Sequence, residues 1–221
     1  VPLFGARLSK SQSAQGRELI ARGVVPSVSL SAFRYDLSDS DRNAVAMLCA
    51  VNGMQNLSSP SPRGEQATSY LAGDLPRNTI GAIDYCGSAV FGKEDLLLLD
   101  GYETQLYNLL IGGLESLTLE VDGVPVELTF RGPARIRVDL AGETPWIRIR
   151  VPVRADTADA APYYERLKQD VAGLLLKLQQ QGLDPVYFSK YARAQTRTFA
   201  EWKALDWRAL YHRANFDIDV V

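Results

Sequence analysis

GSAVFGKEDLLLLDGYETQ, residues 87–105, is the stretch on which the reading of the fold turns. Ala89, Val90 and Phe91 form an apolar run of the kind that favours strands. Gly92 to Asp95 carry turn chemistry, a glycine followed by charge. Leu96 to Leu99 make a second apolar run, which Asp100-Gly101 ends. The pattern predicts a β-hairpin buried on both faces. Tyr102 to Ile111 then predicts a helix with Leu106, Leu109 and Leu110 on one side.

Downstream, the residues predict a sheet and a long helix. Leu117, Leu119 and Val121 share one strand face, and Val126, Leu128 and Phe130 share another. Asp122-Gly123 between them supplies the two positive-φ positions of a type I′ turn. Gly132-Pro133 makes the next turn. Ile136, Val138 and Leu140 then alternate with Arg135, Arg137 and Asp139. Ile147, Ile149, Val151 and Val153 alternate with Arg148, Arg150 and Arg154. This reads as an antiparallel meander with one dry face and one wet face. From Pro162, which suits a helix start, Tyr164, Leu167, Val171, Leu174, Leu175 and Leu178 recur at helical spacing until Gly182. That helix should lie across the dry face. Asp184-Pro185 opens a shorter helical stretch with Tyr187, Phe188 and Tyr191. Thr198 caps another that carries Phe199, Trp202, Leu205 and Leu210. Phe216, Ile218 and Val220 alternate with Asp217 and Asp219 in a final strand.

Upstream, Val1 to Phe4 predicts a short strand and Ser13 to Arg22 a helix stopped by Gly23. Ser27 to Phe33 fits either a short strand, through Val28 and Leu30, or a helical turn capped by Ser31. Ala44 to Val51 is an apolar octet that suits a buried strand, with a short helix as its rival, and Asn52-Gly53 suits the turn after it. Residues 58–64 have linker composition and make the best domain boundary. Glu65 to Leu71 fits a short helix, and Pro76 leads into a strand from Ile80. The fold class that follows is α+β. An antiparallel sheet packs against the long helix in a C-terminal domain, residues 80–221. A smaller α/β module, residues 1–79, precedes it.

The chain has 221 residues and a formal charge of −2, with 46% hydrophobic residues, enough to bury a sizeable core. The near balance of charge gives no reason to expect nucleic acid as a partner. Cys49 and Cys86 have no metal spacing and make no disulfide framework, and both sit in apolar runs that suit buried thiols. No segment approaches the roughly 20 apolar residues of a membrane-spanning helix. No signal peptide or lipoprotein cleavage site is visible, and the abrupt ends suggest a trimmed fragment with any membrane anchor outside it.

The residues assemble no catalytic set. His212, the one histidine, stands at a helix end beside Tyr211 and Arg213, where it suits the helix dipole. Neither cysteine has a nearby base, and there is no phosphate-binding glycine loop, nucleophile elbow or metal-ligand cluster. Among the acids, Glu103 suits a first helical turn, Asp184 suits a helix cap, and Asp217 and Asp219 share a solvated strand face. Two features suit binding. Arg135, Arg137, Arg148, Arg150 and Arg154 crowd the wet face and need Asp139, Glu120 or Glu127 as partners, or an anionic headgroup or acidic protein outside. Tyr187, Tyr191, Trp202 and Trp207, with Phe188, are either core or a protein interface. Trp207, between Asp206 and Arg208, is the one expected to be partly exposed.

The opening stretch resembles the start of the C-terminal domain of the Ger(x)C family, the C subunits of spore germinant receptors. The matching residues are Gly87, Ala89, Val90, Phe91, the turn Lys93 to Asp95, the strand Leu96 to Leu99, and Glu103-Thr104. A second block matches in order: Leu178-Gln179, Asp184-Pro185, Trp202, Trp207 and Asn215 to Val221. The family carries a glycine in the turn after the Asp-Pro position, whereas Val186 to Lys190 contain none. The order of elements up to Val51, with Phe33-Arg34, is similar to the family's N-terminal domain, which has more chain near residues 53–65. The resemblance implies a non-catalytic lipoprotein-type subunit of a nutrient germinant receptor, without a cofactor. It would act through contacts with integral membrane A and B subunits. It would be held by a lipid anchor outside this sequence, at the outer face of the inner spore membrane. The alternative is an envelope solute-binding protein that holds a small nutrient directly, which would need a concave pocket with convergent polar groups. A hydrolase using a carboxylate pair is a further rival, although no two acids stand out as one.

Overall fold

The computed structural model of the chain describes residues 12–39, 41–51, 70–72, 74 and 83–221. The strand expected at residues 1–4, the turn at 52–53, the linker at 58–64 and the strand start at Ile80 lie outside these. So does the helix expected over 65–71, except at its end, where residues 70–71 carry no helix.

Helix α1, Gln12–Ala21, closes at Gly23, whose φ of +70° suits a residue without Cβ. A side chain there would collide with the Gly113 carbonyl oxygen. Helix α2, Leu30–Ser38, settles the segment that the residues left open. Its cap is Ser29 rather than Ser31, and the Ser29 hydroxyl accepts from the Ala32 amide at 3.1 Å.

Strands β1 (Ala44–Val51), β2 (Ile83–Phe91) and β3 (Leu96–Leu99) form one antiparallel sheet in that order. The boundary expected at residues 79–80 falls outside the described residues, and the strands on either side of it are neighbours in this sheet. The β2–β3 hairpin is buried on one face rather than two. Val90 and Leu99 are fully buried, but Leu96 and Leu98 are 54% and 40% exposed. Helix α3, Gly101–Ile111, follows β3 directly and covers the buried face, where the Ser88 and Thr104 hydroxyls bond at 2.9 Å. On the other face α2 covers the end of β2, with Phe33 edge-on to Phe91 at 5.1 Å, and leaves the outer leucines open. The cysteines also depart from expectation: Cys49 is exposed, and Cys86 is half-buried with its thiol donating to the Tyr70 carbonyl.

Helix α3 begins with a capping box. The Asp100 carboxylate accepts from the Glu103 amide at 2.7 Å, and the Glu103 carboxylate accepts from the Asp100 amide at 3.0 Å. Strands β4 (Ser116–Val121) and β5 (Val124–Phe130) form the expected hairpin, with Asp122 and Gly123 at φ of +52° and +78°.

Beyond β5 the chain departs from a single meander. Strands β6 (Arg135–Asp139), β7 (Trp146–Val151) and β8 (Val153–Ala155) do not add to β5 in turn. Instead β8 pairs with β5, while β6 pairs with β7 in a separate sheet. Pro152, which has no amide to donate to a ladder, is where the chain leaves one sheet for the other. The last strand, β9 (Asn215–Val220), lies parallel to β7.

Helix α4, Ala161–Gln180, starts with Pro162 in its first turn. It buries Leu167, Val171, Leu174, Leu175 and Leu178 against β9, β4 and α3. This is the α+β packing that the leucine spacing predicts. Two polar links tie α4 to α3. The Tyr102 hydroxyl donates to Asp170 at 2.6 Å, and Lys177 pairs with Glu103 at 2.7 Å. The chain then forms short helices α5 (Phe188–Arg193), α6 (Phe199–Ala204) and α7 (Trp207–His212) before β9. Because Leu175 is fully buried at the centre of this packing, Leu175→Ala should destabilise the fold by about 2–5 kcal/mol in urea denaturation. A loss below about 1 kcal/mol would mean that α4 is not its organising element.

Candidate functional site

Asp184 follows the helix stop at Gly182 and precedes Pro185. Its carboxylate accepts from the Phe188 and Ser189 amides, both at 2.9 Å, and from the Trp207 indole at 3.3 Å. It therefore caps α5, as expected, but from four residues before the first helical residue. The turn between them, Pro185 to Tyr187, contains no glycine. Tyr187 takes the left-handed conformation there, at φ +69°, a setting that is strained for a bulky residue. The guanidinium of Arg42, held by Asp36 at 3.1 Å, lies over the Tyr187 ring at 5.4 Å.

The loop before β1 is bonded to this turn. The Asn43 side-chain oxygen accepts from the Asp184 amide at 2.7 Å, and the Asn43 amide donates back to the Asp184 carbonyl at 3.3 Å. The Asn43 side-chain nitrogen donates to the Phe91 carbonyl at 2.9 Å. Two residues earlier, the Asp41 carbonyl accepts from the Ser189 hydroxyl at 2.6 Å, and its carboxylate accepts from the Trp202 indole at 2.8 Å. Against this junction lies a cavity of about 10 Å³. The Tyr211 hydroxyl is buried in the same region and has no hydrogen-bond partner among the described residues.

Above the junction is a cleft of about 520 Å³ between α2 and the helices α5 to α7. Tyr35, Asp39 and Asp41 line one side. Arg193, Phe199, Lys203, Asp206 and Arg208 line the other, Lys93 reaches in from the β2–β3 turn, and Trp202 and Trp207 form the base. Only the tryptophans were singled out from the sequence. The other residues lie on five separate elements and share no spacing. The one local signal is Phe199 between two cations. The Arg193 guanidinium is 5.3 Å and the Lys203 ammonium 4.9 Å from its ring centre.

The second surface is the outer face of the β6-β7-β9 sheet. Arg135 stands opposite Arg150, and Arg137 opposite Arg148, on antiparallel neighbours. Parallel β9 sets Asp217 beside Arg148 and Asp219 beside Arg150 on the other side of β7. The resulting pairs are Arg148–Asp217 at 3.9 Å, Arg148–Asp139 at 3.8 Å and Arg150–Asp219 at 3.4 Å. Asp139 was expected as a partner. Glu120 and Glu127 lie on the other sheet, and the two C-terminal aspartates take their place. All these side chains are more than a third exposed, so each pair is worth at most about 1 kcal/mol. The face bounds a shallow groove of about 420 Å³. Arg154 is not part of it: it lies on β8, paired with Thr129 of β5.

The aromatic set is mainly core. Trp207, expected to be partly exposed, is 6% exposed, and Trp202 is 4% exposed. Their rings lie 6.2 Å apart, and Tyr211 follows at 6.0 Å. The flanking Asp206 and Arg208 point outward, but the indole is drawn in by the Asp184 carboxylate. Tyr187 and Tyr191 are half-buried, and Lys190 lies 5.8 Å from the Tyr191 ring centre. His212 ends α7, as expected. Among the described residues, no group of His, Cys, Asp and Glu could hold a metal ion. Among the described residues, no helix is long and apolar enough to cross a membrane.

The family described as Spore germination B3/GerAC like, C-terminal, matches residues 86–221. The chain belongs to this family. The match starts within β2, so the α2 side of the cleft and Asn43 lie before it. Among solved structures, the crystal structure of the GerBC protein is similar at a TM-score of 0.49 and 19% identity. The similarity covers 63% of this chain and 51% of that one, so the chain spans about half that chain's length. No curated protein matches.

Burial raises the Asp184 carboxyl to about 6, against the lowering pull of its amide and indole donors. Its pKa is higher folded than unfolded. Its contribution to stability is therefore fully present below the unfolded value near 4 and is lost as pH rises through 6. The change amounts to roughly 3 kcal/mol. Burial also raises Asp36 and Asp100. Urea denaturation at pH 4.5 and pH 7.5 should show the larger stability at the lower pH. Asp184→Asn should shrink that difference to the part owed to the other two. An unchanged difference in the variant would mean that Asp184 titrates as an ordinary carboxylate.

Proposed function

We propose that this chain is a non-catalytic, C-type subunit of a spore nutrient germinant receptor. In this reading it works by contact with integral membrane A and B subunits and is tethered by a lipid anchor at the outer face of the inner spore membrane. The observation that carries the reading is the family match over residues 86–221, which spans β2 to β9 without a break.

The β6-β7-β9 face suits the contact role. Its arginines stand in facing pairs on two strands, with the aspartates on one flank. Facing like charges on adjacent strands repel. Arg148 and Arg150 are offset within the sheet, whereas Arg135 and Arg137 on the edge strand form no ion pair among the described residues. An acidic partner surface laid across this face would complete the pairing. Such charge complementarity governs encounter rate and specificity more than affinity.

The test is co-purification from spore inner membrane with the full-length, lipidated protein. A- and B-type subunits should be recovered, and the double variant Arg148→Glu/Arg150→Glu should reduce recovery at least about fivefold. Absence of both subunits from the wild-type sample would refute the receptor reading. Full recovery with the double variant would instead move the contact away from this face.

A further inference from the structure

The cleft beside the Asp184 junction has a charge arrangement that the receptor reading does not use. Lys93 lies in the β2–β3 turn, Arg193 at the end of α5, Lys203 on α6 and Arg208 in the first turn of α7. Four separate elements thus bring four cations to one concavity. None of the four has a carboxylate partner among the described residues. The acids of the cleft are engaged elsewhere. The Asp41 carboxylate accepts from Trp202 and that of Asp39 from the Asp41 amide at 2.9 Å, while Asp206 caps α7 through the Ala209 amide at 3.4 Å.

Converging cations repel one another, and repulsion in a cleft with apolar walls is less screened than on an open surface. Solvated lysines and arginines on flexible stems ordinarily turn apart. Here Arg193 and Lys203 are both retained beside the ring of Phe199. Phe199 is itself 56% exposed and Tyr35, across the cleft, is 67% exposed. Two aromatic side chains left open to solvent at a rim of unpaired cations provide for a ligand with both an anionic group and an apolar body. The volume of about 520 Å³ lies within the roughly 300–1,000 Å³ of small-molecule sites.

We propose that this cleft binds an organic anion, a carboxylate or phosphate ester on an apolar body. Lys93, Arg193, Lys203 and Arg208 take the anionic group, and Tyr35 and Phe199 flank the body. The same chemistry is offered by a free small molecule and by an anionic lipid headgroup.

Phenyl phosphate is the soluble probe, and vesicles of phosphatidylglycerol, with phosphatidylcholine as the neutral control, are the lipid probe. Trp202 and Trp207 at the base of the cleft report binding by fluorescence in a Trp146→Phe background, and co-sedimentation reports vesicle binding. Saturable binding of either probe is expected. It should weaken about tenfold or more in Lys203→Glu/Arg208→Glu and in Lys93→Glu, which alters a different element. Arg148→Glu/Arg150→Glu on the sheet face should leave it unchanged, which separates this site from the partner contact. Binding of phenyl phosphate identifies a free anion as the occupant, and binding of phosphatidylglycerol vesicles alone identifies a headgroup. No saturable binding of either probe would overturn the proposal. So would equal binding by the wild type and by cleft variants that keep the wild-type circular dichroism spectrum.

Discussion

A fully buried carboxylate with a hydrogen bond to each of three neighbours costs much to desolvate and more to leave unpaired. Asp184 is such a group, and the geometry around it follows from satisfying it. Its oxygens hold the first amides of α5 and the indole of Trp207, while its own backbone is held by Asn43 just before the start of β1. The turn that makes this possible forces Tyr187 into left-handed space without a glycine. Arg42 packs on that ring, and Asp36 holds Arg42. Asp36, Asp41, Arg42 and Asn43 thus belong as much to the C-terminal helices as to the elements that carry them.

Two charged surfaces lie on either side of that junction. Next to it, short helices that cannot stand alone are set at angles that converge their cations on a cleft. Farther along, β9 inserts parallel to β7 and sets two aspartates beside two arginines. The two surfaces solve the same electrostatic problem differently. On the sheet face, partial neutralisation comes from the chain itself at distances of 3.4–3.9 Å. In the cleft the chain's own acids accept from other donors, and the four cations have no carboxylate partner among the described residues.

Local chemistry made much of this legible in the sequence. The Asp122-Gly123 turn, the Asp184 and Thr198 caps and the leucine stripe of α4 are all readable because each signal lies within a few residues. What was not legible depends on pairing between distant strands. Nothing in the alternation of Arg148 and Arg150 reveals that Asp217 and Asp219 lie beside them, since parallel pairing has no turn to announce it. Pro152 held the clue that the meander divides, because a residue without an amide marks a break in a ladder. Trp207 misled because its sequence neighbours are charged, whereas its indole follows a buried acceptor 23 residues away. The cleft was invisible for the same reason: its cations share a place but no spacing.

The account depends on one claim, that the Asn43–Asp184 junction makes residues 41–51 and the family block from residue 86 a single cooperative unit. Native-state hydrogen exchange tests it most directly. The amides of Asp184, Phe188 and Ser189, those of β1, and those of α4 should exchange with one common free energy equal to that of global unfolding. Exchange of β1 and the Asp184 amide at a clearly lower free energy than α4 would show that the N-terminal segment detaches on its own, and would contradict the account.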